Sequence, residues 1–357
     1  MANPVAFSVI GSAWRAEFFL RIAQAVPDQL AVAGVLARRE SEAERLRETW
    51  GVRAVTTLDE LLALDAEFVA PAVSWPAMPG VVRDLVAAGV KVLAETPPAP
   101  DLDGLRSLWN DVGHTDLVHV AEQYTRMPGH AARLAVVRAG TIGTPTSVEL
   151  SSTHLYHAVS LVRHLLDVGR GDVVVNARTF TAPLLDPMDR AGWRADPQEE
   201  PRGTTLAMLD FGDGRHGLYD FVDNQWHNPL RGRRIVVRGS RGEVADDAVT
   251  RWTDDGPDSS PLAYRRTGVD MNLEGNDVVH VSFDGRVVWR NPFVGSRLSE
   301  DDLGVAAILA DAGAWARDEA PGPYPLADAC QDHAVGLAIE ESARTGADVR
   351  VAGEPWA

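Results

Sequence analysis

The sequence predicts a two-domain α/β protein, with a doubly wound parallel sheet in residues 1–125 and a large antiparallel or mixed sheet in residues 126–357. Three observations carry that prediction. At 357 residues the chain exceeds one ordinary core and suits two domains. Its first third alternates short β-branched runs with helix-like segments, the rhythm of parallel strands joined by crossover helices. The remainder strings together runs of period two, separated by hairpin-type turns.

In order, Val5–Ile10 reads as the first strand, Trp14–Ala25 as the helix after it and Leu30–Leu36 as the second strand. Ser41 and Glu44 have capping-box spacing, so a charge-rich helix is expected from there to Trp50, closed by Gly51. A short strand from Val55, a leucine-rich helix over Leu58–Leu64 and a buried strand over Phe68–Val73 follow. Pro79–Ala88 is the next helix, Gly89 stops it, and Val90–Ala94 is a strand. Leu102–Val112 and Leu117–Ala121 complete the doubly wound pattern.

After Tyr124 the texture changes. A helix over Gly129–Ala139 ends before Gly143, a strand runs Ser147–Ser151, and His157–Leu166 reads as a helix with apolar Val159, Val162 and Leu166. Strand patterns then cover Thr204–Phe211, His216–Phe221, Arg233–Arg238, Val278–Phe283 and Val287–Trp289. Gly212-Asp213-Gly214 and Asp284-Gly285 are turn signals between them. Two helices close the chain, Leu303–Arg317 and Leu326–Thr345, the last free to pack back on the N-terminal domain. Asp186–Gly203, dense in Pro, Asp, Glu and Arg, reads as a long loop: a lid, an interface arm or a surface insertion. A sheet with one unoccupied apolar face needs covering, so a homo-dimer or homo-tetramer is expected.

Composition narrows the function. Apolar residues at 45% and charged residues at 24% describe a globular chain. No stretch approaches the ~20 apolar residues of a membrane span. The first residues lack a basic segment and run directly into a strand, which reads against a signal peptide. A net charge of −17 opposes nucleic-acid binding, which needs a basic surface. The ten tryptophans are scattered among acidic segments and are expected in core or pocket walls. Cys330 is the single cysteine, which excludes internal disulfides and multi-cysteine metal sites. Its apolar helical setting suggests a buried structural thiol, and a cytoplasmic location fits.

The first chemical signal is Gly11-Ser12-Ala13-Trp14-Arg15-Ala16, between the first strand and its helix. Against the dinucleotide fingerprint G-x-G-x-x-G/A, Gly11 and Ala16 fit, and Ala13 replaces the glycine that lets backbone approach the pyrophosphate. Trp14 could lie along the cofactor or simply pack. At the end of the second strand, Ala37 lacks the carboxylate that binds the ribose of NAD, while Arg38 and Arg39 supply cations suited to a 2′-phosphate. NADP is therefore favoured slightly over NAD; the alternative is that both arginines pair with Glu40, Glu42 or Glu44.

The third signal is Val92-Leu93-Ala94-Glu95-Thr96-Pro97-Pro98. Together with Ala121-Glu122-Gln123-Tyr124, Gly140-Thr141-Ile142-Gly143, His157-x-x-Ser160-x-x-Arg163 and Ser342-Ala343-Arg344-Thr345-Gly346, it resembles the Gfo/Idh/MocA family, over nearly the whole chain. The resemblance implies a Rossmann domain followed by an α/β domain with an open, mostly antiparallel sheet. It implies NAD(P)-dependent hydride transfer at a carbon–oxygen centre of a sugar-like or polyol substrate. In that family the lysine of Glu-Lys-Pro works with a D-x-x-x-H-x-x-D stretch. Here Thr96 stands for the lysine and Thr153 and Ser160 for the aspartates; only His157 matches. Losing one such charged donor can lower a rate roughly 100–1000-fold.

His157, Tyr156, Thr96 and His154 are thus the candidate catalytic residues. If residues 151–156 continue a strand, His154 and Tyr156 share a face that points either to pocket or to core. A His154/His157 metal pair lacks an identified carboxylate, so no metal site is expected. The candidate cofactor contacts are Gly11, Ala13, Trp14, Arg15, Arg38, Arg39, Ser74, Trp75, Glu95, Thr96 and Glu122, with Trp75 beside the nicotinamide or in ordinary packing. Trp226-His227-Asn228 faces either the substrate or solvent. The leading expectation is an oxidoreductase acting on CH–OH groups with His157 as acid–base residue. The alternatives are redox-neutral elimination, hydrolysis or epimerisation with transient use of the nicotinamide, and a dinucleotide-binding protein without catalysis.

Overall fold

The computed structural model describes residues 3–268, 271 and 275–357, so Met1 and Ala2 of the N-terminal reading lie outside it. The first sheet is built from β1 (Val5–Ile10), β2 (Leu30–Leu36), β3 (Ala54–Val55), β4 (Phe68–Pro71), β5 (Val92–Ala94) and β6 (Val118–Val120). Between them run α1 (Trp14–Ala25), α2 (Glu40–Trp50), α3 (Leu58–Leu62), α4 (Met78–Ala87) and α5 (Leu102–Val112). All pairings are parallel, in the order β3-β2-β1-β4-β5-β6. The order reverses between β1 and β4, and the crevice at those carboxyl ends is where a doubly wound sheet takes its ligand. Helices on both faces explain the continuous apolar β1, in which Phe7 is fully buried and stacks on Phe68 at 5.5 Å.

Two local readings need correction. The Ser41–Glu44 capping box does not form: α2 begins at Glu40 after an extended Arg39, which leaves Ser41 exposed within the first turn. Acidic Glu40 and Glu42 meet the helix N-terminus there instead. Capping boxes occur at Thr57–Glu60 and Ser299–Asp302. The leucine-rich α3 stops at Leu62 rather than Leu64.

A short 3-10 turn, Tyr124–Arg126, leads into α6 (Pro128–Arg138), β7 (Pro145–Ser151) and α7 (Leu155–Leu166). Next come β8 (Val173–Leu185), β9 (Met188–Asp189), β10 (Gly192–Trp193), β11 (Glu199–Asp210) and β12 (His216–Val222). They are followed by β13 (Arg234–Gly239), β14 (Gly242–Ala245), β15 (Ala248–Thr253) and β16 (Gly256–Pro261). The chain closes with β17 (Ala263–Thr267), β18 (Asp277–Phe283), β19 (Arg286–Arg290), α8 (Glu300–Ala316), α9 (Leu326–Thr345) and β20 (Val349–Val351). The second sheet has nine strands in the order β16-β15-β14-β13-β7-β12-β11-β8-β20, with β7–β12 parallel and the rest antiparallel. Helices α7 and α9 pack together and cover one face. The other face leaves Phe180, Leu206, Met208 and Leu218 exposed.

The segment 186–203 is a loop only in part, its last five residues belonging to β11. β8 and β11 pair from Val174/Asp210 out to Leu185/Glu199, and β9 and β10 form a small hairpin at the tip. Residues 178–183 of this arm are exposed on both faces, so nothing selects an alternating apolar pattern there. Pro183 and Pro201 face each other across the ladder.

Helix α9 is anchored through charge. Arg163 of α7, 2% exposed, donates to Asp332 Oδ1 at 2.5 Å, Asp328 Oδ1 at 2.9 Å and the Gly169 carbonyl at 3.1 Å. The Tyr324 hydroxyl donates to the other Asp332 oxygen at 2.5 Å and lies 2.9 Å from Ser160 Oγ. Removing one member of a buried pair strands its partner, at a loss of about 3–5 kcal/mol. Arg163→Leu is therefore expected to lose about that much stability in urea denaturation. A loss under about 1 kcal/mol would show that this network does not hold α7 to α9.

Candidate active site

The end of β1 sets the first part of the site. Gly11 has φ +136°, and a Cβ there would lie 2.5 Å from the Ala72 carbonyl oxygen, so both conformation and space demand glycine. Ala13 is the extended N-cap of the twelve-residue α1, exposed and without a side-chain cap. The first N–H groups of α1 therefore face outward unclaimed, which fits a pyrophosphate at the positive end of the helix dipole. Trp14 is 53% exposed, and the Arg190 guanidinium from the arm tip lies 3.9 Å from its ring centre. Arg15 turns away from the loop: its Nε donates to Glu95 at 2.6 Å and its Nη2 to Gln123 at 3.5 Å.

Beyond β2, Ser12 Oγ donates to Glu42 at 3.1 Å, Arg39 Nε donates to the same carboxylate at 3.0 Å, and Arg38 is exposed. The pairing weighed for the two arginines is thus made by Arg39. The Ser74 carbonyl closes the turn into α4, accepting from Ala77 at 2.9 Å. Trp75 is 47% exposed and stands edge-on to His333 at 6.4 Å.

The second part gathers at the ends of β5, β6 and β7. β7 ends at Ser151, and Leu155, with φ +36°, turns the chain sharply into α7. A branched-chain residue in that region costs about 1–3 kcal/mol, which the buried surroundings must hold. The turn overrides a continued strand, so His154 and Tyr156 do not share a strand face. Their rings nevertheless meet edge-on at 5.0 Å, and His154 also packs on Trp226 at 4.7 Å and on His157 at 5.1 Å.

His157 Nδ1 is 2.5 Å from Glu122 Oε2, both residues buried, and the other Glu122 oxygen accepts the Tyr124 N–H at 3.1 Å. Burial pushes the Glu122 carboxyl up to about 8 and His157 down to about 3. Both shifts favour an uncharged dyad at neutral pH. Among the described residues Nε2 has no protein hydrogen bond. The rings of Tyr124 and Tyr156 flank His157, each at 4.4 Å. Burial also holds His154 neutral, at about 3, with its Nδ1 lacking a partner.

The three replaced positions all carry hydroxyls in hydrogen bonds. Thr96 donates to Glu95 through its N–H at 3.0 Å and its hydroxyl at 3.4 Å and borders the same small cavity as Tyr156, whose phenol burial keeps protonated. Thr153, fully buried, accepts from Trp226 Nε1 at 3.4 Å. Ser160 joins the Tyr324–Asp332 network. Carboxyls come instead from elsewhere: Glu122 and Asp332 line, with Thr96, Tyr156 and His333, a cavity of about 10 Å³. Sequence reading placed Glu122 on the cofactor and did not single out Tyr124 or Asp332. The only local signal was an acid directly after the apolar run of β6. Trp226 faces the site, while Asn228 is buried beneath the arm, donating to the Leu185 carbonyl at 2.9 Å.

Among the described residues no three His, Cys, Asp or Glu side chains are grouped to hold a metal, and no helix is long and apolar enough to cross a membrane.

Similar proteins agree with this architecture. No curated protein matches the sequence. An oxidoreductase from Agrobacterium radiobacter in complex with NAD+, L-tartaric acid and magnesium has 17% identity and TM-score 0.69, covering 97% of this chain and 98% of that one. A levoglucosan dehydrogenase in complex with NADH and levoglucosan has 16% identity and TM-score 0.68, covering 98% and 99%. A putative myo-inositol dehydrogenase from Sinorhizobium meliloti 1021 has 17% identity and TM-score 0.67, covering 98% and 100%. At such identities these likenesses show the fold. Residues 5–123 match the family model described as GFO_IDH_MocA, oxidoreductase family, NAD-binding Rossmann fold. The match covers a third of the chain, which is thus similar over its first sheet to the NAD-binding Rossmann fold of that oxidoreductase family.

Proposed function

We propose that the protein transfers a hydride to or from a carbon–oxygen centre of a sugar-like or polyol substrate, with His157 as acid–base residue and Glu122 as its positioning partner. The observation that carries this reading is the buried Nδ1–Oε2 contact of 2.5 Å. Gly11, Ala13 and the α1 N-terminus would hold the pyrophosphate, with Trp14 and Arg190 beside it. Ser74, Trp75, Glu95 and Thr96 would border the nicotinamide, and Arg15 would keep Glu95 in place. Bound NAD(P) supplies or takes the hydride.

The dyad moves the proton without placing a charge on the imidazole. In reduction, Nε2 gives its proton to the substrate oxygen while the Glu122 proton passes to Nδ1, leaving a carboxylate. In oxidation, Nε2 takes the hydroxyl proton and Nδ1 returns one to Glu122. Burial disfavours an imidazolium, so this coupling is the low-energy route. Thr96 and Tyr156 add neutral donors toward the oxygen, a weaker substitute for a lysine charge. The complexes with levoglucosan and L-tartaric acid formed by the neighbouring structures support a polyhydroxylated substrate.

On the cofactor, exposed Arg38 supports the 2′-phosphate of NADP, with Arg39 drawn toward Glu42. The open sheet face supports self-association: apolar Phe180, Leu206, Met208 and Leu218 sit beside Arg178, Arg234, Glu149 and Asp220 around a depression of about 700 Å³. A two-fold partner could present the same mixture of signs in reverse.

His157→Ala should lower kcat by roughly 10²–10⁴-fold and leave nucleotide affinity unchanged in calorimetry; near-normal turnover would remove its role. Oxidation requires the dyad to have lost a proton, so its rate should rise as pH climbs through about 8, and reduction should fall over the same range. Glu122→Gln should abolish that inflection and lower kcat at least about 10-fold. Turnover with no net change in reduced-nicotinamide absorbance would instead assign redox-neutral chemistry.

Arg38→Ala should weaken NADPH binding about 10-fold with NADH unaffected, a charge-assisted contact being worth ~1.5–3 kcal/mol. Equal effects on both nucleotides would remove the NADP preference. Light scattering should find a dimer or tetramer that the Phe180→Asp/Met208→Asp double variant dissociates. A wild-type monomer would refute the interface.

A further inference from the structure

The tip of the arm, the small hairpin of β9 and β10, reaches back to the dinucleotide loop of the first sheet. Arg190 lies in the turn of that hairpin, and its guanidinium stands 3.9 Å from the centre of the Trp14 ring. Trp14 is the first residue of α1, directly after the Ala13 N-cap. A cation carried by the arm thus lies beside the place proposed for the pyrophosphate.

Side chains at the base of the hairpin fix its position. Asp186, 1% exposed, accepts from Asn224 Nδ2 at 2.7 Å and pairs with Arg202 at 3.1 Å. Asn224 also donates to the Met188 carbonyl at 2.9 Å, and the Arg194 N–H donates to the Pro187 carbonyl at 2.9 Å. Asp189, the acid nearest Arg190 in the chain, is taken by the Ala191 N–H at 2.8 Å and by Arg194 at 3.2 Å. Arg190 itself has neither a hydrogen bond nor an ion pair among the described residues. Resting on an aromatic ring leaves the N–H donors of its guanidinium free for another acceptor.

Other arginines around the loop are committed. Arg15 donates to Glu95 at 2.6 Å, Arg39 to Glu42 at 3.0 Å and Arg45 to Glu17 at 2.6 Å. Arg38 is exposed beyond β2, on the ribose side of the proposed site. At position 13 a methyl group stands where glycine would let the backbone approach the phosphates closely, which weakens what the helix N-terminus can offer. A chain of net charge −17 also repels an anionic ligand at long range, so one local cation weighs more.

We infer that the arm is a strap over the cofactor: Arg190, resting on Trp14, donates to a phosphate of the bound dinucleotide, which leaves only when the tip lifts. This role rests on the proposed dinucleotide site at Gly11 and Ala13 and is independent of the acid–base role of His157. The turn that pins the strap through Asn224 also carries Trp226, which packs on His154 at 4.7 Å. One turn therefore braces both the strap and a wall of the candidate active site.

The test is nucleotide binding by the full chain, with affinity from calorimetry and release from stopped-flow NADPH or NADH fluorescence. Arg190→Ala should weaken NADPH about 10-fold, mainly through faster release, and Arg190→Lys should keep part of the affinity. An equal loss for NADH places the contact on the pyrophosphate, and an unchanged NADH affinity places it on the 2′-phosphate. Raising salt from about 0.01 M to about 1 M should narrow the gap between wild type and Arg190→Ala. Asn224→Ala, which unpins the tip and leaves Arg190 in the chain, should also speed release. Unchanged affinity and release in Arg190→Ala, a gap indifferent to salt, or wild-type release in Asn224→Ala would each overturn the strap. Wild-type protein that binds neither nucleotide would remove the dinucleotide site itself and the proposed reaction with it. Binding that is merely indifferent to Arg190 removes the strap and leaves that reaction standing.

Discussion

The buried hydrogen bond between Glu122 and His157 organises the site. An imidazole in this position, closed in by Tyr124 and Tyr156, would be a poor base alone, because burial resists its charging. The carboxyl beside it changes the problem: in the proposed mechanism protons enter and leave through Nε2 while the ring stays neutral. The rest of the surroundings serves this geometry. β6 delivers Glu122, the sharp turn at Leu155 delivers His157, and Trp226 and His154 pack around them.

This arrangement also explains how the chain lives without the charged residues that the family resemblance led one to expect. Thr96, Thr153 and Ser160 are not vacant positions. Each hydroxyl is drawn into a hydrogen bond, Thr96 to Glu95, Thr153 from Trp226 and Ser160 with the buried Tyr324 phenol. Hydroxyls bonded in this way avoid the desolvation that a lysine or aspartate would suffer there. A strongly charged buried cluster, Arg163 with Asp332 and Asp328, is kept where three carboxylate hydrogen bonds and two carbonyls satisfy it. There it joins the two helices that back the second sheet.

The arm formed by β8 and β11 connects levels that the sequence keeps far apart. Its base lies in the second sheet, its exposed apolar residues contribute to the open face, and its tip sets Arg190 on Trp14 at the dinucleotide loop. A segment dense in proline and charge can still form a ladder when both of its faces are solvated, because backbone pairing alone then decides the conformation.

Where elements bury one face or both, their order was written in the chain. The strands and helices from Val5 to Val120 follow from apolar runs, glycine stops and β-branched residues, and Gly11 follows from a loop that tolerates no Cβ. His157 was legible because its motif neighbours are local in sequence. Glu122 as its partner was not, because 35 positions separate the two and the packing of the turn Tyr124–Arg126 against α7 brings them to 2.5 Å. The same holds for Asp332, which reaches the site from α9. By itself the sequence determined a doubly wound dinucleotide domain, a large second sheet and a histidine at the head of a helix. Periodicity and turn chemistry act between near neighbours, and those suffice for elements. Which carboxyl meets that histidine, and which polar groups are left unpaired around it, was decided only when distant segments were buried against one another.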